Sequence, residues 1–573
     1  MKEVMGKKEN GSKRYCRGIF GKRRSFRMQE DVSKVRRLTK YGYGTGHILN
    51  DVCASLWFTY LLLFYMNVIK LGAINAGIIL LAGQIADGIA TVVVGIVSDR
   101  ETNFGFCVRY GKRKLWHLVG TFGVLLCYPF LFATPIGMTR NEADCNENVE
   151  CMDNRWMTIY FSAFSVVHNI SWAFIQISHL AMVPEITSRE NERGSLITIR
   201  NVGSVASNIF VYSILWIMLG AAGDGDNVNA IGPKDLHTFT NVMLISVVGV
   251  GGISSLVFHV LIKPTTEKVS RRMDNADVEN STTPDNKNDV NKADCIKDSH
   301  SYTTESFDQS SETKMGIFKW FLEPQFYLIA CVYMVTRLFV NISNSYIPLY
   351  LQHSLGLENI FVAVVPLVMY ISGLIVSIVL KFLTKRYGFK LAFALSCLIG
   401  VSGCLWIWFG CKPSTVRYEI FIVAALMGGG GSSMLISSLT IVSSLVGQNT
   451  ESSAFVYGAM SFVDKLSCGL AFMLIQNYVP TKLHPCVTNC DFFQNVLVYV
   501  CGGASAVGLV FITILYPMQI GQRRDKAGSV KENQENKIRT GCDNFAFGLN
   551  DTNGGLSGRI EDTGEKREMS NGG

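Results

Sequence analysis

Apolar residues fall along this chain in blocks of about twenty, which polar stretches separate. An α-helix of that length crosses the hydrocarbon core of a bilayer, so each block predicts a membrane span. The predicted spans cover 47–69, 75–98, 115–135, 156–183, 196–219, 240–262, 326–353, 360–383, 389–411, 417–446, 453–477 and 495–518. The pattern therefore predicts an all-α membrane protein with 12 transmembrane helices.

Three long polar stretches flank and divide these spans. Residues 1–46 form a basic tail, residues 263–323 are rich in Asp, Asn, Lys, Ser and Thr, and residues 519–573 form a polar tail. Such a composition cannot bury enough apolar area to fold alone, so the middle stretch is interpreted as a disordered linker. The linker separates two six-helix halves, predicted at 47–262 and 324–518.

Positive charge is concentrated in loops on one predicted side of the membrane. The loops 99–114 and 381–390 hold equivalent places in the two halves and are rich in Lys and Arg, whereas the loop 136–155 is acidic. The positive-inside rule therefore places the basic loops, the linker and both tails in the cytoplasm. Two parallel six-helix halves are typical of carriers whose substrate site lies between the halves near the midplane.

Composition supports a membrane protein and argues against other classes. Only 17% of residues are charged, whereas soluble domains average about 25%. The net charge of +8 would suit nucleic acid, but orientation explains it better because the excess lies in loops beside the spans. The sequence shows no nucleophile–base constellation and no metal-ligand spacing. We therefore expect neither an enzyme, nor a bound cofactor or metal, nor a nucleic-acid partner.

Charged side chains inside the predicted spans are the first candidates for function, because a charge at the bilayer centre costs roughly 2.5–3.5 kcal/mol. Asp87 lies near the middle of its span, with Thr91 four residues later on the same face. Asp464 and Lys465 are helical neighbours that point about 100° apart, so each is expected to have its own partner. Lys465 is the natural partner of Asp87 across the halves. A switch pair that breaks during transport and a static pair that stabilises packing both remain open.

A second set of polar side chains is predicted to line a substrate cavity. Its members are Asp51 and Trp57 in the first span, Gln176 and His179 in the fourth, and Arg337 and Asn341 in the seventh. The fourth span carries its polar residues on one helical stripe, and polar atoms facing lipid are disfavoured, so this stripe is interpreted as a cavity wall. For Asp51, anchoring at the membrane interface remains the alternative.

The 16 cysteines fall into groups by their position relative to the spans. Those inside predicted spans are interpreted as small apolar side chains: Cys53, Cys127, Cys331, Cys397, Cys404, Cys468 and Cys501. Cys145 and Cys151 share one predicted non-cytoplasmic loop, and Cys486 and Cys490 share another. A disulfide within each of these pairs and free thiols both remain open, because the redox state of the compartment decides between them.

A motif runs from the second span into the third. It comprises Asp87, Gly88, Gly95, Asp99 and Arg100, followed by the run from Arg109 to Lys114. It resembles the span 2–3 motif of the glycoside–pentoside–hexuronide:cation symporter branch of the major facilitator superfamily. The resemblance implies the major facilitator superfamily fold, coupling to a proton or sodium, and a cytoplasmic gate formed by Asp99, Arg100, Arg109, Lys112 and Arg113.

The same resemblance implies roles for further residues. Lys465 matches a span 11 lysine that approaches the span 2 carboxylates, and Asp51 matches a span 1 acid that binds sugar. Two positions differ from the family pattern. Thr91 replaces the second span 2 carboxylate of sodium-coupled members, and Gln176 replaces the span 4 acid. These differences put both the sodium site and the sugar in question.

A closer resemblance covers most of the membrane region, in the segments 46–65, 114–121, 176–185, 336–343, 366–373 and 454–465. These segments are similar to a branch of the superfamily associated with cysteine import into lysosomes and melanosomes and with pigment chemistry. The resemblance implies a monomeric, alternating-access cysteine transporter in such a membrane. A cation-coupled sugar symporter, a non-transporting scaffold or sensor, and a plasma-membrane location remain as alternatives.

Overall fold

The computed structural model describes residues 35–99, 110–136, 154–187, 190–221, 230–262, 317–409, 415–447, 453–480 and 492–521. Within these ranges, 12 helices are long and apolar enough to cross a membrane, as the sequence predicts. The spanning segments of the first half are α1 Arg37–Val68, α2 Ala73–Gly95, α3 Arg113–Phe132, α4 Asn154–Ala181, α5 Glu192–Ala221 and α6 Pro233–Leu261. Those of the second half are α7 Pro324–Ser354, α8 Asn359–Thr384, α9 Phe389–Phe409, α10 Val416–Val446, α11 Phe455–Asn477 and α12 Phe492–Leu515.

Several helices extend beyond their spanning segments. The full helices containing α2, α5, α8 and α11 cover Ala73–Asp99, Glu190–Ala221, Asn359–Tyr387 and Ser453–Asn477. Short helices at Val183–Ile186 and Ile317–Trp320 follow α4 and precede α7. Since consecutive spans run in opposite directions, α1 begins at the end of the bundle where α12 ends. We call this end the near end, and the end where α1 finishes the far end.

The first helix begins at Arg37, whereas the apolar pattern predicts a polar tail as far as residue 46. Two glycines explain why this weakly apolar turn is helical and buried. A Cβ on Gly42 would lie 2.7 Å from Leu261, and one on Gly44 would lie 2.6 Å from Ile199. The start of α1 therefore packs tightly against α6 and α5, a tertiary contact that hydropathy does not report.

Widened π-helical turns recur at matching places in the two halves. They lie at Leu56–Tyr60 and Phe64–Val68 in α1 and at Tyr350–Ser354 in α7, the first helix of each half. They lie at Leu244–Gly251 in α6 and at Val496–Cys501 in α12, the last helix of each half. Such turns are rare and local, so their recurrence shows that the two halves repeat one structural unit.

The halves contact each other through α1 with α7, α2 with α11, and α5 with α8. Hydrogen bonds at the far end join Tyr60 Oη to the Val362 carbonyl (3.4 Å), His353 Nε2 to Asn67 Oδ1 (2.9 Å), and the Ile231 N–H to Gln352 Oε1 (2.8 Å). Ser345 also donates to the Phe58 carbonyl. These bonds hold the two halves together where α1 ends and α7 ends.

Candidate functional site

One buried ion pair crosses between the halves. Lys465 Nζ of α11 lies 2.5 Å from Asp87 Oδ1 of α2, and it also donates to Thr91 Oγ1 at 2.6 Å. Thr91 Oγ1 in turn lies 3.3 Å from Asp87 Oδ1, to which it donates. All three side chains are buried. The contact between Lys465 and Asp87 that the sequence predicts is therefore present, and Thr91 completes it.

Small residues allow this pair to form. A Cβ on Gly469 of α11 would lie 3.0 Å from Leu81 of α2, and one on Gly88 of α2 would lie 3.4 Å from Phe462 of α11. The two backbones are close enough for the lysine to reach the carboxylate directly. A buried charge without a partner is costly, so each of these two charged groups stabilises the other in place.

A second ion pair lies within the C-terminal half. Arg337 Nε of α7 donates to Asp464 Oδ2 of α11 at 2.8 Å, and the Asp464 side chain is 2% exposed. Cys468 Sγ donates to Asp464 Oδ1 at 3.4 Å, and Asn341 Nδ2 donates to Cys468 Sγ at 3.3 Å. The expectation that Asp464 and Lys465 have separate partners is therefore confirmed.

Asp51 is buried in a network that joins α1 to α5. Its Oδ2 atom accepts from His47 Nδ1 at 2.9 Å and from Ser204 Oγ at 2.7 Å. Arg200 Nη2 of α5 donates to His47 Nε2 at 2.9 Å. The structure thus places Asp51 among partners from the protein interior, and this differs from anchoring at a membrane interface.

Tyr370 of α8 lies between the two halves, close to both charged networks. Its hydroxyl is within hydrogen-bonding reach of Tyr212 and Asn344, and it is near enough to Asp51 and Arg337 to be influenced by both charges. The rings of Tyr212 and Tyr370 lie 5.1 Å apart. Sequence reasoning missed both tyrosines, because a tyrosine within an apolar block carries no periodic or charge signal. Asp51 of the N-terminal half and Arg337 of the C-terminal half therefore both lie within electrostatic range of Tyr370.

The structure places Trp57 and His179 elsewhere, in the interior of the N-terminal half. Trp57 packs against His168 and Trp172, with ring centroids 5.6 and 6.5 Å away. His179 is fully buried, and its Nε2 donates to the Tyr43 carbonyl at 2.8 Å. This differs from the predicted cavity wall, because aromatic stacking encloses much of the stripe inside the half. Gln176 is only half-buried, and contact of these residues with substrate stays a prediction.

The predicted cytoplasmic gate is described only in part. Arg113 Nε lies 3.1 Å from Glu185 Oε1, which joins α3 to the short helix after α4. Gly111, at φ 95°, precedes α3 in a conformation that favours glycine. Arg100 and Arg109 lie outside the described residues, as do the side chains of Asp99 and Lys112.

The structure describes some of the cysteines and not others. The thiols inside the spans are unbridged and mostly buried, as expected for small apolar side chains. Cys145, Cys151, Cys486 and Cys490 lie outside the described residues, so their disulfides stay predictions.

Known proteins similar to this chain are membrane carriers. A family model described as MFS/sugar transport protein matches residues 42–283 and 295–520. Major facilitator superfamily domain-containing protein 12 of Homo sapiens is 34% identical over 502 residues, covering 85% of this chain and 95% of that protein. Its counterpart in Equus caballus is 35% identical over 492 residues, covering 84% of this chain and 94% of that protein.

Solved structures share the fold at low sequence identity. The nucleoside transporter NupG superposes with a TM-score of 0.52 at 13% identity, covering 84% of this chain and 99% of that one. The inward-open xylose transporter XylE from E. coli superposes with a TM-score of 0.51 at 11% identity, covering 86% and 98%. Identities this low concern the fold alone, which is that of the predicted two-half carrier.

Proposed function

This chain belongs to the MFS/sugar transport family of the major facilitator superfamily, and we propose that it is an alternating-access carrier that imports cysteine into an organelle lumen. The observation that carries the proposal is the cross-half ion pair between Asp87 and Lys465. A protein that only packs its helices has little reason to bear the cost of two buried charges at the boundary of its moving parts.

The two charged groups of cysteine match the charges of Arg337 and Asp51. Its carboxylate matches the guanidinium of Arg337, whose side chain is 24% exposed, and its ammonium matches the carboxylate of Asp51. These two groups lie on opposite halves, so a bound amino acid would join the halves through its own charges. The choice of cysteine among small amino acids rests on the sequence resemblance, and Gln176 and Asn341 are proposed as further polar contacts.

Transport requires the two halves to rock about the substrate. In the described conformation, hydrogen bonds of Tyr60, Asn67 and Ile231 with the second half close the far end. Opening that end breaks these bonds, and Lys465 must then exchange or lengthen its contact with Asp87 and Thr91. We propose that this exchange is the switch that couples substrate or a cation to the change of access.

The chain is a multi-pass membrane protein. We propose a lysosomal or melanosome-like membrane, with both termini in the cytoplasm and the carrier acting as a monomer. The cytoplasmic placement follows from the basic loops 99–114 and 381–390, and the organelle follows from the sequence resemblance.

The direct test is uptake of labelled cysteine into organelles from cells with and without this protein, with cystine and a hexose measured alongside. Loss of cysteine uptake alone on deletion supports the proposal. Asp87→Asn in the same cells should remove uptake while the protein still reaches the organelle. Unchanged uptake of every solute on deletion would instead favour a scaffold or sensor.

A second candidate substrate is a sugar, because the matching family model is described as MFS/sugar transport protein. Thr91 and Gln176, which replace carboxylates of the sodium-coupled sugar carriers, argue against it. Competition separates the two candidates. An excess of hexose or glycoside should leave cysteine uptake unchanged, and inhibition by the sugar would favour the sugar carrier.

A further inference from the structure

Four histidines from four different spans meet near the near end of the N-terminal half. They are His47 of α1, His117 of α3, His179 of α4 and His259 of α6. Their ring centroids form a chain, 5.3 Å from His47 to His179, 5.9 Å from His179 to His117, and 5.0 Å from His117 to His259. We call this group the histidine cluster. Helix packing alone does not require four imidazoles in contact.

The hydrogen bonds of the cluster have a direction. The Gly46 carbonyl can only accept, so His117 Nε2, which lies 2.9 Å away, must carry a proton. His117 Nδ1 then accepts from His259 Nε2 at 3.1 Å, and His259 Nδ1 accepts from the Tyr110 hydroxyl at 3.0 Å. Because neutral His259 carries its proton on Nε2, its Nδ1 can only accept, so the Tyr110 hydroxyl is the donor. A directed chain therefore leads from the edge of the near end to the backbone beside His47.

His47 lies between a carboxylate and a guanidinium, and these neighbours determine its state. The Asp51 carboxylate accepts, so the proton of His47 is on Nδ1. Arg200 can only donate, so Nε2 must be unprotonated to accept from it. In this conformation His47 is neutral. The lone pair on its Nε2 accepts the hydrogen bond from Arg200, and this bond joins α5 to α1.

We propose that His47 is the acceptor of a coupling proton, distinct from the pair of Asp87 and Lys465, and that binding this proton releases Arg200. The proton binds at Nε2 and takes up the lone pair that accepts from the guanidinium, while Nδ1 continues to donate to Asp51 and Arg200 keeps its charge. Two cations then face each other, so Arg200 withdraws and its hydrogen bond between α5 and α1 is lost, while Ser204 of α5 still donates to Asp51 of α1. The coupling role rests on the proposed transport function, whereas the proton site does not.

His179, which lies next to His47, provides a second observation for the proposed proton site. His179 is fully buried, and its Nδ1 atom has no hydrogen-bond partner among the described residues, although it lies next to His47 and His117. Its ring centroid lies 5.3 Å from that of His47 and 5.9 Å from that of His117. Beside the proposed proton site there is therefore a second imidazole nitrogen whose lone pair is not used in a hydrogen bond among the described residues.

The charged groups around His47 determine whether its protonation is favoured or opposed. Among the described residues of the elements packed around it, the titratable or charged side chains are Tyr43, Asp51, Arg200, His179, His117, Lys114, His259 and Tyr110. Asp51 is the carboxylate of this set, and Arg200 is its permanent cation, because arginine does not lose its proton. Added positive charge on His47 is therefore opposed chiefly by Arg200, so proton binding and release of Arg200 must occur together.

Proton binding can be tested without measuring transport. The protein is labelled with ¹⁵N-histidine, and NMR in detergent follows the ring nitrogens between about pH 5 and 8, the range in which histidine changes charge. The His47 signal is the one missing from the His47→Gln variant. We expect it to change from the Nδ1-protonated neutral form to the doubly protonated form on acidification. A His47 that stays neutral throughout overturns the proposal.

Two substitutions at Arg200 keep the test valid if His47→Gln fails to fold, because the His47 signal is then assigned as the one whose titration differs between them. Arg200→Met removes the opposing cation, so His47 should take up its proton at a higher pH than in the unmodified protein. Arg200→Lys retains the charge and should leave that pH nearly unchanged. Equal behaviour of the two variants would contradict the proposed opposition between His47 and Arg200.

Transport provides the coupling test, with labelled L-cysteine in proteoliposomes at matched and unequal pH. One coupled proton changes the rate by up to about tenfold per pH unit. His47→Gln should remove this dependence while cysteine exchange at equal pH persists. His168→Gln, a buried histidine of α4 outside the cluster, should retain it. An unchanged pH dependence in His47→Gln overturns the coupling, whereas absence of cysteine exchange in the unmodified protein overturns the transport proposal alone.

Discussion

Asp464 and Lys465 are adjacent on one helix, yet their ion pairs belong to different parts of the molecule. Asp464 pairs with Arg337 inside the C-terminal half, whereas Lys465 pairs with Asp87 across the boundary between the halves. Helix geometry separates the two side chains by about 100°, so one faces α7 and the other faces α2. A pair within one half can stabilise that half in every state, but a pair across the boundary must respond when the halves move.

The largest effect on stability is expected from Asp464→Asn, because it leaves the guanidinium of Arg337, a side chain 24% exposed, without the buried carboxylate that it binds. Breaking a fully buried pair by removing one partner costs about 3–5 kcal/mol. The partial exposure of Arg337 places the expected loss at the lower end of this range, although arginine cannot lose its proton to escape. Thermal unfolding of purified protein in detergent measures this loss. The double variant Arg337→Met with Asp464→Leu should recover most of the stability, and an Asp464→Asn protein as stable as the unmodified one would contradict a structural role.

Asp87→Asn should abolish transport and cost less stability than Asp464→Asn. Lysine can release its proton when buried without a counter-charge, and Thr91 remains as a hydrogen-bond partner for Lys465. Substrate uptake and thermal unfolding should be measured on the same preparation, with Asp87→Glu as the matched control that retains the charge. Normal transport in Asp87→Asn would show that the cross-half pair only stabilises packing.

Thr91→Val tests the third member of the cross-half contact. It removes the 2.6 Å hydrogen bond to the Lys465 ammonium while conserving side-chain volume. A hydrogen bond to a charged group contributes about 1.5–3 kcal/mol, so a stability loss in this range with a severalfold change in transport rate is expected. Thr91→Ser retains the hydroxyl and should behave like the unmodified protein. Equal stability of the valine and serine variants would show that the bond is not significant.

The smallest effect is expected from Cys468, which joins Asn341 to Asp464 within the C-terminal half. A thiol is a weak donor and a weak acceptor, so Cys468→Ser should change stability by less than about 1 kcal/mol. Cys468→Leu is the contrasting variant, because it overfills the space beside Asp464. Thermal unfolding of both variants checks this, and a large loss in Cys468→Ser would assign the thiol a greater role in holding Asp464.

The cost of burying charge explains which site residues sequence reasoning could find. Asp87, Asp464, Lys465 and Arg337 are conspicuous because each interrupts an apolar block. The need for compensation predicted the pair of Lys465 with Asp87, whereas only the structure identifies Arg337 as the partner of Asp464. Arg200 was missed because it follows a polar, charged stretch and resembles loop charge that sets orientation. His117 and His259 were also missed, since each appears alone in its own span and only packing brings them together.

The sequence by itself determined the 12 spans, the division into two halves and the charged groups that need partners. These features depend on hydrophobicity along the chain, which is a local property. Only the tertiary structure decided that α1 begins at Arg37, that Tyr370 of α8 packs against Tyr212 of α5, and that four histidines meet beside Arg200. Those outcomes depend on the rotation of each helix and on which helices pack together, and neither quantity is encoded in the pattern of any single span.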